Sequence, residues 1–190
     1  MDIAVPKVRI RDVVPDDPDR RFVVGDKVQI TCTEVTIFDQ LRVGAKVWID
    51  DGKLGAVVSD LKSQCIELQI TQTGPDGGMS RVDKGLNFPG TSLTIAAISE
   101  KDIADLDHIV ANADIVGQSF VRNAQDVVAL LREFERRDVR LPIIAKIETA
   151  AAISNLPEII VAGAGKIPFG VMIARGDLAI EIGYQRLAEN

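Results

Sequence analysis

The stretch LPIIAKIETAAAISNLPEIIVAGAGKIPFGVMIARGDLAIE, residues 141–181, decides how this chain is read. Two short apolar runs, LPIIAKI at 141–147 and GVMIA at 170–174, flank a segment of helical character. A third run, ADIVGQSFV at 113–121, precedes them. The three recur at roughly the length of one βα unit, which predicts buried parallel strands joined by helices.

Signals on either side support those helices. Ser99, followed by Asp102, supplies an N-cap and an acidic first turn for a helix to about residue 111. Asn123 can cap a second helix, AQDVVALLREFERR, in which Val127, Leu130, Leu131 and Phe134 share one apolar face. A third helical segment, between 150 and 162, is expected to break near Asn155 and Pro157 and to end at Gly163 and Gly165. Arg132, Arg136, Arg137 and Arg140 gather toward the end of the second helix, where positive charge complements the helix dipole without any ligand.

Residues 1–88 have a different rhythm. KVQITCTEV at 27–35, KVWID at 46–50 and QCIELQI at 64–70 read as short alternating strands. Asp50, Asp51 and Gly52 form a tight turn, and GPDGG at 74–78 a longer one. The expected fold class is therefore α/β plus all-β: a small antiparallel β-barrel or sandwich over 1–88, then a partial (βα) barrel over 89–190. Three or four βα units cannot close an eight-fold barrel, which takes about 250 residues, so the remaining units are expected from elsewhere.

Composition narrows the function classes. With 190 residues, 46% hydrophobic content and a net charge of -6, the chain can build a core but offers no broad basic surface for nucleic acid or an anionic membrane. No apolar run approaches the roughly 18 residues that span a bilayer, and MDIAVPKVRIRD lacks the pattern of a signal peptide, so the expected compartment is the cytoplasm. Cys32 and Cys65 fit no metal or disulfide spacing and are expected as buried free thiols.

The chemistry concentrates at two strand ends. Lys146 and Glu148 are two residues apart, so in a strand they project the same way at its carboxyl end. Asp177 follows the next strand and is expected at the same rim, where α/β barrels carry their active sites. Two carboxylates there can hold a hard divalent cation, and a lysine beside them can neutralise a phosphoryl group or an enolate. An ion pair plus an Asp in the first turn of the next helix accounts for the same spacing equally well. His108, the single histidine, lies on a helix away from strand ends, and Trp48 is placed for packing beside the acidic turn.

The run 141–181, with KIE and MIARGDL in order, resembles the signature of the pyruvate kinase family. DKGLNFPG at 83–90, ISEKDI at 98–103, SFVR at 119–122 and VWIDDG at 47–52 resemble further parts of that family, so the likeness covers nearly the whole chain. The resemblance implies a lid domain followed by part of a catalytic barrel, transferring the phosphoryl group of phosphoenolpyruvate to ADP. It implies Glu148 and Asp177 as Mg²⁺ ligands, Lys146 as the group stabilising the transferred phosphoryl, and Gly176 as a backbone N–H donor to the substrate carboxylate. Lys84 and Arg9 match the family's nucleotide-phosphate contacts, and the family's lid implies closure that excludes water.

The sequence departs from the family at Thr149, usually asparagine, and at Ala152 and Ala179, usually glycine. The family's phosphate-binding arginine, its potassium ligands and a substrate-binding threonine are expected outside this chain. A Mg²⁺-dependent lyase or aldolase of the pyruvate-binding barrel type and a non-catalytic binding or structural fragment are the rival readings. The isolated chain is expected to lack turnover and to cover its open sheet edges by self-association.

Overall fold

A computed structural model describes every residue except 5, 6, 16, 18, 92, 184, 189 and 190. The chain divides into two compact units, one of Lys7–Ile95 and a discontinuous one of Met1–Pro6 with Ala96–Asn190. The division expected at residue 88 thus moves to Ile95, and the first residues leave the all-β unit altogether.

The first unit is a six-stranded antiparallel sheet. Its strands are β2 (Ile10–Val14), β3 (Lys27–Cys32), β4 (Lys46–Ile49), β5 (Leu54–Leu61), β6 (Ile66–Gln72) and β7 (Leu86–Asn87), ordered β2-β3-β6-β5-β4-β7. Alternation sets the faces: Val28, Ile30 and Cys32 are buried, as are Ile66, Leu68 and Ile70 opposite them. The strand expected over 27–35 stops at Cys32, and Val35–Gln40 instead form a 3-10 turn that buries Ile37 and Phe38. The β4–β5 hairpin turns through Asp50, Asp51 and Gly52, all at positive φ. Sheet curvature brings the outermost strands together at one end, where Arg9 and Gly85 form an antiparallel bridge and the Leu86 N–H donates to the Val8 carbonyl at 2.8 Å.

The second unit is a parallel sheet of four strands, β1 (Asp2–Ala4), β8 (Val116–Ser119), β9 (Ile143–Ile147) and β10 (Phe169–Ile173), in the order β1-β8-β9-β10. β1 corrects the expectation that residues 1–88 belong to the all-β domain: Asp2, Ile3 and Ala4 pair in parallel with Gly117, Gln118 and Ser119. The run expected as a strand over 113–121 contributes only its centre, Val116–Ser119.

Among the described residues five α-helices accompany the sheet: α1 (Glu100–Asn112), α2 (Ala124–Arg136), α3 (Ala150–Ser154), α4 (Leu156–Gly163) and α5 (Arg175–Ile182). Ser99 and Asp102 cap α1 reciprocally, and Asn123 accepts from the Gln125 and Asp126 N–H groups at the start of α2. The break near Asn155 is present, with Pro157 in the first turn of α4. Val127, Leu130, Leu131 and Phe134 of α2 enter one core with Ile3, Val116, Ile143, Ala145 and Ile147 of the strands. The fold is thus mixed α/β, with its parallel sheet directing all four strand ends to one rim.

Candidate active site

β9 alternates sharply. Ile143, Ala145 and Ile147 are fully buried, while Ile144 and Lys146 lie on the opposite, partly open face. Two residues beyond Lys146 the chain leaves the strand at Glu148, so both side chains meet at its carboxyl end as their spacing predicts. The Lys146 Nζ lies 3.1 Å from Glu148 Oε1 and donates to the Ser119 hydroxyl at 2.9 Å. Asp2 Oδ2 lies 3.7 Å away on its other side.

Glu148 is almost wholly buried, at 1% exposure, which would be costly for a lone carboxylate. Its charge is answered twice: Oε1 faces Lys146, and Oε2 accepts the Phe120 N–H at 2.7 Å. Phe120 has φ 51, an uncommon conformation for a residue with a side chain, at the turn that follows β8. Burial acts to lower the pKa of Lys146, but the hydrogen bond and charge of Glu148, then the charges of Asp2 and Asp177, outweigh it and hold the amine above its ordinary value. Lys146 is therefore a fixed cation at neutral pH, suited to neutralising charge and unsuited to acting as a base.

β10 runs in register with β9, Met172 opposite Lys146, and the Ala174 N–H extends the pairing by donating to the Ile147 carbonyl at 3.1 Å. α5 starts at once, placing Asp177 in its first turn, close enough that its charge acts on Lys146. Gly176 is exposed there, and a Cβ built on it would meet nothing within 4 Å. A ligand can approach that backbone directly.

Arg9 and Lys84 belong to the antiparallel unit and lie near each other within it. Arg9 Nη1 donates to the Asp83 carbonyl at 2.8 Å, and Lys84 Nζ lies 3.0 Å from Asp50 Oδ1. Asp50 also holds Lys53 at 2.9 Å, while Lys7 pairs with Asp51 at 3.0 Å, so the acidic turn anchors a group of lysines. His108 is exposed on α1 beside Asn112, and Trp48 is half-buried, its ring over Gly55. Cys32 is buried, with its thiol pushed up to about 12 by desolvation, whereas Cys65 is only half-buried, against the expectation for it.

Three residues at the rim escaped the sequence reading. Ser119 and Phe120 stand in the quoted SFVR segment, whose position at the end of β8 was the available signal. Asp2 had none, because only its pairing with Gly117 brings it to this sheet. An added Cβ on Gly117 would lie 2.1 Å from Asp2 Oδ1, so glycine is what lets the carboxylate lie across the sheet.

Glu148 and Asp177 suit a hard cation by chemistry: both are oxygen donors rising from neighbouring strand ends. Among the described residues no group of three or more His, Cys, Asp or Glu side chains is placed to hold a metal ion by itself; Mg²⁺ is commonly held by one or two carboxylates together with water and substrate oxygens. Among the described residues, too, no helix is long and apolar enough to cross a membrane.

Fold and rim together define a mixed α/β protein whose parallel sheet carries a lysine and two carboxylates at its strand ends. The family model described as "Pyruvate kinase, barrel domain" matches residues 15–189. The chain is 38% identical over 162 residues to a pyruvate kinase of Geobacillus stearothermophilus, covering 84% of this chain and 26% of that protein. It is 34% identical over 159 residues to a pyruvate kinase of Mycobacterium tuberculosis, covering 83% of this chain and 32% of that protein. Pyruvate kinase 2 of Synechocystis is 31% identical over 194 residues, 95% of this chain and 32% of that protein. The chain belongs to the pyruvate kinase family. It spans between about a quarter and a third of the length of these relatives.

Proposed function

We propose that this chain carries part of the active site of an enzyme that transfers the phosphoryl group of phosphoenolpyruvate to ADP, giving pyruvate and ATP in the cytoplasm. The observation that carries the reading is the Lys146–Glu148 pair at the end of β9, with the ammonium also held by Ser119. The pair stands at the carboxyl end of a parallel strand, the end at which α/β barrels carry their active sites, and family membership supplies the reaction.

Glu148 and Asp177 would hold Mg²⁺, and potassium is implied by the family without ligands assigned in this chain. When bound, Mg²⁺ supplies charge neutralisation on phosphoryl oxygens. Lys146, kept protonated by its acidic neighbours, stabilises the transferring phosphoryl, whose transition state carries its charge on peripheral oxygens. Ser119 fixes the direction of the ammonium, and the Phe120 N–H fixes the carboxylate. Gly176 offers its N–H to the substrate carboxylate, and Lys84 and Arg9 contact nucleotide phosphates.

Replacing Lys146 by Met in the full-length enzyme should lower kcat by about 10²–10³ with a smaller change in KM, as for loss of one electrostatic donor. Pyruvate release from phosphoenolpyruvate and ADP, followed continuously, measures it. Wild-type aldol or acyl-CoA cleavage without phosphoryl transfer would defeat the proposal in favour of a Mg²⁺-dependent lyase. The 190-residue chain alone should show no turnover, since the family's phosphate-binding arginine is not assigned within it; pyruvate formation abolished by Asp177→Ala would overturn that expectation.

A further inference from the structure

Two consecutive residues hold both members of the rim pair. The Ser119 hydroxyl accepts from Lys146 at 2.9 Å, and the Phe120 N–H donates to Glu148 at 2.7 Å. β8 ends at Ser119, and the chain turns at Phe120 with φ 51, a left-handed conformation that a residue with a side chain keeps only where its surroundings impose it.

Two side chains impose it here. Asp126, in the first turn of α2 and 4% exposed, grips the chain on both sides of the turn. Its carbonyl accepts from Gln118 Nε2 at 2.7 Å, ahead of the turn. Beyond the turn its carboxylate accepts the Arg122 N–H at 2.8 Å and the guanidinium Nε and Nη2 at 3.0 Å each. Asn155 adds a third hold, its Nδ2 donating to the Arg122 carbonyl at 3.0 Å. Asn155 is the N-cap of α4, where an asparagine side chain ordinarily accepts an N–H of the first helical turn, yet it makes no such bond. Its amide reaches back 33 positions instead. Only Thr149 and α3 separate it from Glu148, so the segment that carries the carboxylate also restrains the turn that orients it.

We propose that Asp126 and Asn155 are positioning residues for the Lys146–Glu148 pair, acting on it through the turn at Phe120. If the turn slackens, the Phe120 N–H leaves Glu148, whose buried charge is then answered by Lys146 alone. The ammonium is drawn to the carboxylate and away from an incoming group. The consequence for turnover rests on the phosphoryl-transfer reading, whereas the restraint of the turn does not.

Amide exchange resolved to single residues by mass spectrometry, and steady-state kinetics, both on the full-length enzyme, test the proposal. Asn155→Asp keeps the side chain's shape and improves it as an N-cap for α4, but removes the N–H given to Arg122. A role confined to helix stability would therefore leave activity intact or raise it. Positioning predicts the opposite: Phe120 exchange about tenfold faster, with Ala145 and Ile147 of β9 unchanged. It also predicts kcat lower by about 10–10², with KM for phosphoenolpyruvate changed about twofold at most. Asn155→Gln, which restores a donating amide, should recover most of the loss. Asp126→Asn should act in the same direction, and Asn155→Asp, at a half-buried site, decides the matter if that variant fails to fold. Unchanged Phe120 exchange in Asn155→Asp overturns the proposal, as does faster exchange with kcat intact, or exchange that rises equally along β8 and β9. A wild-type enzyme without phosphoryl transfer would remove the functional reading alone, and Phe120 exchange would still decide whether Asp126 and Asn155 hold the pair.

Discussion

The two units of this chain treat a sheet edge in opposite ways. The antiparallel unit curls until its outer strands meet at the Arg9–Gly85 bridge, with Phe22, Ile30, Ile49, Leu54 and Leu68 at 1% exposure or less. The parallel unit buries one face equally well, with Leu130, Phe134 and Ile143 at 1% or less, while among the described residues no strand pairs with the outer side of β1 or β10. Antiparallel strands joined by hairpins can close over a short length of chain, whereas each added parallel strand needs its own crossover helix. The lysine and carboxylates proposed for chemistry stand on the parallel unit.

That contrast predicts separable stabilities. Phe134→Ala empties a fully buried site on α2 and should cost about 3–5 kcal/mol. Amide exchange followed by mass spectrometry should show α2 and β9 losing protection while β3, β5 and β6 keep theirs. Equal loss in both units would mean that they unfold as one, and the comparison would fail.

Arg122 and Asp126 probe the same unit through charge. Arg122 Nε and Nη2 donate to Asp126 Oδ2 and Oδ1 at 3.0 Å each, and Asp126 is 4% exposed. Arg122→Ala leaves that carboxylate the backbone N–H of residue 122, which donates to it at 2.8 Å, and should destabilise the parallel unit by about 3 kcal/mol, read from urea unfolding. Arg122→Ala with Asp126→Asn should recover part of the loss, because the buried charge is then gone. Ser99→Ala is milder: it removes the hydroxyl that accepts the Asp102 N–H at 3.0 Å and should cost about 1 kcal/mol at the start of α1.

How much of this was legible follows from the range of the interaction. Alternation in KVQITC and the caps at Ser99 and Asn123 act within a few residues, and each appears where expected. Lys146 and Glu148 were legible for the same reason, since strand geometry alone aligns residues two apart. β1 was not: three residues carry no period, and their partner strand begins more than a hundred residues later, as the Met1 amine bound to the Ile115 carbonyl shows. Asp2 was lost with it. Ser119 and the Phe120 N–H were also out of reach, because they reach Lys146 and Glu148 only through the β8–β9 register and a left-handed turn that local propensity does not announce.

Acid should sharpen the contrast with the smallest effect. Three carboxyl groups of the antiparallel unit are held below their ordinary range: Asp12 by the Thr31 hydroxyl and then Arg11, Glu67 by Lys27 and then Ser59, and Asp50 by Lys53 and Lys84, which overcome the opposing effect of burial. A carboxyl group whose pKa is lowered by folding stabilises the fold above its unfolded value and loses that contribution as pH falls through the folded one. For Asp50 the loss therefore begins below about pH 3.8. Asp50→Asn should remove a few tenths of a kcal/mol at pH 7, the usual scale for exposed lysine pairs, and should flatten the dependence of the unfolding midpoint on pH in that acid range. Amide exchange at β4 and β5, which flank the Asp50 turn, places the effect. If the variant keeps the full acid dependence, Asp50 is not among the groups that make the closed unit acid-sensitive, and its hold on Lys53 and Lys84 contributes nothing to the fold.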